Sequence, residues 1–359
     1  MAQTQNRNNG NTVKNIVAVR FSALGDVAMT LPALYSAAIE NPDIRFFFLT
    51  RPLFAKFAVN PPENLKVIGV DLNGRYKGVL GMAKLARMIV KELKADILID
   101  LHDVLRTKML RGWVSLAGKK VTVINKGRSE KKALVASRNK QFRQLLPMTE
   151  RYVRTIRNAG IEPGNNFRSV FDRIPADSSL YATVAGKDAG NKKRIGIAPF
   201  AKHQGKIYPL QKMEEVVKAL SEIPDAEIFL FGGGKEEAEV LGKWEKKYPG
   251  TISLADKKLG FAAELALMST LKVMLSMDSG NMHLASLCGT PVVSVWGATH
   301  PYCGFMGFRQ KESDAVQLSL PCRPCSVFGD KKCIYGNYKC LNEIKTEDIL
   351  RKISEKLRN

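Results

Sequence analysis

Short apolar runs alternate with stretches of helical spacing along this chain, and after a turn-rich interruption the alternation begins again. Lys14–Arg20 reads as a buried strand, a glycine turn follows, and Val27–Ile39 sets apolar residues at helical intervals. Ile44–Leu49, Leu65–Val70, Asp96–Leu101 and Lys120–Ile124 are further expected strands, with helices at Gly78–Leu93 and Val104–Leu116. Pro175–Lys193 is rich in turn residues and poor in large apolar ones, as a connection between domains is. The second series expects strands at Arg194–Ala198, Glu227–Phe231, Leu271–Ser276 and Pro291–Trp296. Its helices are expected at Leu210–Leu220, Lys235–Lys246, Gly260–Met268, Met282–Leu287 and, closing the chain, Thr346–Leu357. Strands that each hand over to a helix must pair in parallel through crossovers, so the fold class is α/β with two doubly wound domains in succession. Ligands in such sheets bind beyond the carboxyl ends of the strands, which points to the cleft between the domains.

A chain of 359 residues is long enough for two such cores. The expected division is a polar, Asn-rich tail at 1–12, a first domain at 13–175, a connection at 176–193, a second domain at 194–345 and a final helix at 346–359. The tail has no apolar core of a signal peptide, and no run of about 18 apolar residues occurs anywhere, so the expectation is a cytoplasmic protein that does not span a bilayer. The 56 Lys and Arg against 34 Asp and Glu give a net charge of +22. Within Val104–Arg157 there are 15 basic residues and 2 acidic ones. A stretch that basic repels itself unless an anion lies near, so nucleic acid, an anionic membrane face and a phosphorylated substrate are the candidate partners, beside a merely solvated helical face.

Four of the six cysteines fall in one segment, Cys322, Cys325, Cys333 and Cys340. Without an export signal a disulfide framework is not expected. Four thiolates would satisfy a tetrahedral structural zinc, although six residues separate the second pair; the alternative is reduced thiols packing a loop.

Turns that lead from a strand into a helix carry the chemistry, because the helix start offers unpaired N–H groups and the positive end of a dipole. The first, Arg20-Phe21-Ser22-Ala23-Leu24-Gly25-Asp26, has one glycine and so is not a dinucleotide fingerprint. Asp26 stands there either as a helix cap or as an acid at the mouth of the cleft. In the second, Asp278-Ser279-Gly280-Asn281-Met282-His283, a hydroxyl and a glycine N–H are expected to meet an anion at the helix start, with His283 facing it and Asp278 fixing the turn or capping the helix; the alternative is an ordinary capped turn with His283 a satisfied core residue. Lys206 follows the second domain's first strand and is a candidate to neutralise a phosphate. Glu236 and Glu237, after Gly232-Gly233-Gly234, suit the ribose hydroxyls of a nucleotide.

Three segments together, Arg20–Pro32 (RFSALGDVAMTLP), Lys206–Pro209 (KIYP) and Asp278–Gly297 (DSGNMHLASLCGTPVVSVWG), resemble the signature segments of glycosyltransferase family 9, the lipopolysaccharide heptosyltransferases. Cys322–Cys340 resembles the cysteine-bearing C-terminal segment of heptosyltransferase II-like members. The resemblance implies a GT-B fold, two Rossmann-like domains facing a central cleft, the first binding acceptor and the second a nucleotide sugar. It implies inverting transfer of a heptose from ADP-heptose to the lipopolysaccharide inner core, with no cofactor required for catalysis. Asp26 then matches the catalytic base. Lys206, Asp278, Ser279, Gly280 and His283 match the donor-binding set, to which Glu236 or Glu237 is added.

The remaining expectations concern partners. The basic stretch, with Arg106, Lys108 and Arg111 as its acceptor-binding candidates, would face an anionic glycolipid and the inner face of the cytoplasmic membrane. The rivals are a GT-B transferase using another nucleotide sugar and a nucleic-acid-binding α/β protein; no RRM, KH or basic-helix signature supports the latter, so no nucleic-acid partner is expected.

Overall fold

A computed structural model describes residues 15–186 and 190–358; the expected tail at 1–12 lies outside the described residues. The first sheet is built from β1 (Asn15–Val19), β2 (Arg45–Thr50), β3 (Leu65–Gly69), β4 (Ile97–Asp100) and β5 (Lys120–Val123). All its pairings are parallel, in the order β3-β2-β1-β4-β5. The second sheet comprises β6 (Lys193–Ala198), β7 (Ala226–Leu230), β8 (Thr251–Ser253), β9 (Val273–Met277), β10 (Val292–Val295) and β11 (Ala315–Val316), also parallel, in the order β11-β10-β9-β6-β7-β8. β1 and β9 are buried at every position, which is why they read as continuous apolar runs.

Both sheets reverse direction beside their first strand. In the first, β2 and β3 extend to one side of β1 and β4 returns on the other; in the second, β7 and β8 lie to one side of β6 and β9 to the other. The crevice at each reversal is where α/β sheets take ligands. The turns carrying Asp26, Lys206 and Asp278 follow β1, β6 and β9 respectively.

The first domain's helices are α1 (Leu24–Glu40), α2 (Pro52–Ala55), α3 (Gly78–Arg87), α4 (Leu105–Leu116), α5 (Arg128–Leu134) and α6 (Met148–Asn158). The second domain carries α7 (Leu210–Ser221), α8 (Lys235–Lys247), α9 (Phe261–Met268), α10 (Gly280–Leu287), α11 (Lys339–Asn342) and α12 (Thr346–Leu357). α1 starts three residues earlier than its apolar spacing implies, because the Asp26 carboxylate accepts the Ala23 N–H and closes the first turn. The helix expected through Leu93 is α-helical only to Arg87 and continues as a π-helical turn, Met88–Glu92. Residues 187–189 of the expected connection at 176–193 lie outside the described residues; before them a 3-10 turn, Ser178–Tyr181, buries Tyr181, and the Arg194 guanidinium lies 5.8 Å from its ring centre.

One apolar core runs through both domains. Val27, Leu31 and Leu34 of α1 join Met282, Leu284 and Leu287 of α10 in a single buried cluster. Removing one such side chain, as in Leu31→Ala, costs about 2–5 kcal/mol in cores of this kind. The α1–α10 junction thus fixes the cleft geometry.

Candidate active site

Arg20, at the end of β1, is only 2% exposed, and a buried guanidinium must find acceptors for its N–H groups. It donates to the Ser22 and Leu101 carbonyls at 2.9 and 2.7 Å, and its remaining arm meets the Asp26 carboxylate at 2.7 Å. Burial would raise the Asp26 carboxyl pKa, but Arg20, the Ala23 N–H and, further off, His283 together hold it below the usual carboxylate range. Asp26 is therefore both the cap of α1 and an ionised acid whose orientation is fixed from behind.

The turn after β4 supports this arrangement. The Asp100 carboxylate accepts the His102 and Asp103 N–H groups at 2.9 and 2.8 Å. His102 Nδ1 accepts the Phe21 N–H at 3.4 Å, which leaves its proton on Nε2, 3.3 Å from Ser22 Oγ. Burial, with Arg20 and Lys126 adding to it, lowers the His102 pKa to about 3, so the ring is neutral.

Across the cleft, the start of α10 abuts the start of α1. A β-carbon on Gly25 would come 2.4 Å from His283 Cδ2, and one on Gly280 would come 2.8 Å from Leu24 Cδ2, so each helix needs a glycine where the other presents a side chain. Ser279 precedes α10 without a side-chain bond to the helix's amides, and its hydroxyl faces Ser276 Oγ at 3.3 Å. The first N–H groups of α10 are then available to an anion.

Lys206 Nζ reaches Asp278 Oδ2 at 2.8 Å, and the same oxygen accepts the Thr299 hydroxyl at 2.8 Å. Asp278 thereby holds the lysine beside the Ser279–Gly280 turn. His283 is buried, and burial lowers its pKa to about 4 despite the fields of Asp278 and Asp26, so it acts as a neutral ring and not as the cation an anion would attract. Its Nδ1 has no hydrogen-bond partner. The structure thus brings Asp26, Lys206, Asp278, Ser279, Gly280 and His283 together at one junction.

Other expected residues lie apart or are otherwise engaged. Glu237 accepts the Gly233 N–H at 2.8 Å, tying the glycine loop to the start of α8, while Glu236 is exposed in the first turn. Arg111 pairs through one guanidinium nitrogen with Asp100 and Asp103 at 3.2 and 3.1 Å, which ties it to the turn after β4. Arg106 and Lys108 stand exposed on α4.

The cations nearer Asp26 are ones the sequence did not single out. Lys126 Nζ donates to the His102 carbonyl at 2.7 Å, and Lys131, 7% exposed, lies 3.2 Å from Met148 Sδ and 4.3 Å from the Phe305 ring centre. Burial, reinforced by Arg20 for Lys126 and Arg151 for Lys131, lowers each pKa to about 8. Both belong to the basic stretch, but only contacts made in the fold, with the His102 carbonyl for Lys126 and with Met148 and Phe305 for Lys131, distinguish them from its other lysines.

Cys322, Cys325, Cys333 and Cys340 line one small cavity as free thiols. Among the described residues no group of three or more His, Cys, Asp and Glu is placed to hold a metal ion, so the expected zinc ligand set is not assembled. Arg323 organises the segment instead, donating to the Gly297, Trp296 and Thr299 carbonyls.

Residues 82–339 match the family described as glycosyltransferase family 9 (heptosyltransferase). The chain belongs to glycosyltransferase family 9. Lipopolysaccharide heptosyltransferase 1 of Pseudomonas aeruginosa is 24% identical over 333 residues, covering 89% of this chain and 87% of that protein. The glycosyl transferase family 9 structure from Veillonella parvula superposes with a TM-score of 0.74 at 19% identity, covering 96% and 97% of the two chains. Escherichia coli heptosyltransferase WaaC with ADP-2-deoxy-2-fluoro heptose superposes at 0.66 with 17% identity, covering 95% and 99%. The two facing α/β domains are thus the GT-B fold of this family, and the α1–α10 junction is the candidate active site of a family 9 heptosyltransferase.

Proposed function

We propose that this chain transfers a heptose from ADP-heptose to the anionic inner core of lipopolysaccharide, by a single inverting displacement. The observation that carries this reading is that an oriented, ionised acid on the first domain, Asp26, faces a lysine and a free helix start on the second, Lys206 and Ser279–Gly280. Asp26 accepts the proton of the acceptor hydroxyl as the new carbon–oxygen bond forms. Charge gathers on the departing diphosphate as its bond to the anomeric carbon breaks. Lys206 and the first amides of α10 meet that charge, so the residues present supply the stabilisation that a metal gives in other transferases. Lys126 and Lys131, near Asp26 and without a carboxylate in ion-pair reach among the described residues, suit the acceptor's own anionic groups. The ADP-sugar bound in the similar WaaC structure supports the choice of donor.

The test is a donor panel of ADP-heptose and ADP-, UDP- and GDP-hexoses with a heptose-deficient lipopolysaccharide acceptor. Expected are acceptor-dependent ADP release from ADP-heptose, a product heavier by one heptose, and an anomeric configuration opposite to the donor's by NMR. Turnover of a UDP- or GDP-sugar alone would replace the donor, and a retained configuration would overturn the single displacement.

A further inference from the structure

Helix α4 is apolar on two faces. Thr107, Leu110 and Val114 point into the first domain and are fully buried, which accounts for one face of an ordinary surface helix. Leu105, Gly112 and Leu116 share the opposite side of the helix and so form a second stripe, beside which Met109 is half-buried against the core of the first domain. That stripe faces outward: Leu105 is 74% and Leu116 82% exposed, with Trp113, 46% exposed, beside them. Helix α3 packs against α4 and adds Val79 and Leu80, 59% and 79% exposed, from its first turn. Around these side chains stand exposed cations, Lys84, Arg87 and Lys91 on α3 and its π-helical extension, and Arg106 and Lys108 on α4. Glu92 is the one acid in these two helical segments.

Charge chooses the occupant. A second copy of the chain seated on this face would set cations against cations, whereas an anionic surface pairs with all of them. Leucine and tryptophan flanked by long cationic side chains is the combination that settles into a headgroup layer, the apolar groups entering the acyl boundary while lysine and arginine reach the phosphates. We propose that the exposed face of α3 and α4 is a docking surface for an anionic lipid bilayer, with Leu80, Leu105, Trp113 and Leu116 entering the headgroup boundary. The first turns of both helices lie at the carboxyl end of the first sheet, as does the Asp26 turn, so a bilayer held there borders the cleft. This surface stands apart from the sugar-transfer reading, because binding is read without turnover.

Trp113 makes the test direct: Trp244 and Trp296 are 3% and 0% exposed, so a change in emission on vesicle binding reports Trp113. The full chain is mixed with vesicles of phosphatidylcholine alone or with phosphatidylglycerol at roughly 30%, a content that gives a strongly negative surface, and sedimented. Expected are co-sedimentation and a blue shift with the anionic vesicles only, the shift absent in Trp113→Phe. Leu105→Ser combined with Leu116→Ser is expected to weaken binding at least about tenfold, in line with losing two buried leucines, with an unchanged circular dichroism spectrum. Lys84→Glu with Arg87→Glu is expected to weaken it and flatten its salt dependence. No sedimentation at low salt would overturn the proposal, as would charge reversal abolishing binding while the leucine variant binds normally. A concentration-dependent dimer that the leucine variant abolishes would assign the face to a second copy instead.

Discussion

Gly25 and His283 meet across the cleft, glycine on α1 against imidazole on α10, with 2.4 Å between the position of a Gly25 β-carbon and His283 Cδ2. A single methyl group at residue 25 therefore requires the imidazole or the two helix starts to shift where Asp26 and the Ser279–Gly280 turn come together. Gly25→Ala is expected to cost about 1–3 kcal/mol, as overpacking does, and to lower kcat more than it lowers stability. Combining it with His283→Ala should recover part of the lost rate; a pair no better than Gly25→Ala alone would remove the steric account.

Asp26→Asn keeps the size of the side chain and an oxygen able to accept the Ala23 N–H, so α1 stays capped. It cannot take up a proton. We expect kcat to fall by roughly 10²–10⁴-fold, the usual worth of a general base, with ADP-sugar affinity by calorimetry unchanged. Wild-type turnover would reduce Asp26 to a cap.

The Arg20 pair sets a pH dependence. Asp26 works ionised, and its folded-state pKa lies below the ordinary carboxylate value, so the acid limb of kcat/KM should lie below that value also. The stability the pair contributes is present above the unfolded carboxyl pKa and is lost as pH falls through the depressed folded one. Arg20→Gln is expected to move the acid limb upward and to cost about 3–5 kcal/mol, the range for breaking a buried pair; Arg20→Lys should keep the limb low. An acid limb that stays in place in Arg20→Gln would show that Arg20 does not tune Asp26.

Lys206→Ala should raise the donor KM and lower kcat together, on the order of 10²-fold in kcat/KM, because the charge it removes serves both bound and departing diphosphate. Asp278→Asn should give a smaller loss of the same kind, since it frees Lys206 from its 2.8 Å partner without removing the charge. An unchanged donor KM in both variants would place the diphosphate elsewhere.

The strands were legible because parallel strands buried on both faces must be apolar along their length, as in β1 and β9. Asp26, Lys206 and Ser279 were legible for a related reason: each follows such a strand, where ligands bind. Helix α6 was not, because its buried face includes Arg151 and Thr155 beside Tyr152 and Ile156, which breaks the apolar period. Arg111 read as a free cation because Asp100 and Asp103 approach it only once α4 folds back along β4. Lys126 and Lys131 were two lysines among many, and their depressed pKa values arise from burial that no local pattern encodes.

Lys131 is a buried cation whose charge costs the first domain stability. It is held by a thioether and an aromatic face, with no carboxylate in ion-pair reach among the described residues, so folding keeps a cation where a neutral side chain would pack better. Its pKa, pushed down to about 8, lies below the unfolded value, so the charged form burdens the folded state at neutral pH and the burden eases as pH rises through 8. Lys131→Met should therefore raise the melting temperature at pH 7. If the charge serves the acceptor's anionic group, the same variant should raise the acceptor KM while leaving the donor KM alone. The wild-type acceptor kcat/KM should also fall as pH climbs past about 8, where Lys126 and Lys131 both lose their protons. Lys131→Arg, which stays charged, should shift that alkaline limb to higher pH. A more stable Lys131→Met enzyme with an unaltered acceptor KM and alkaline limb would mean that the buried cation serves neither acceptor binding nor turnover.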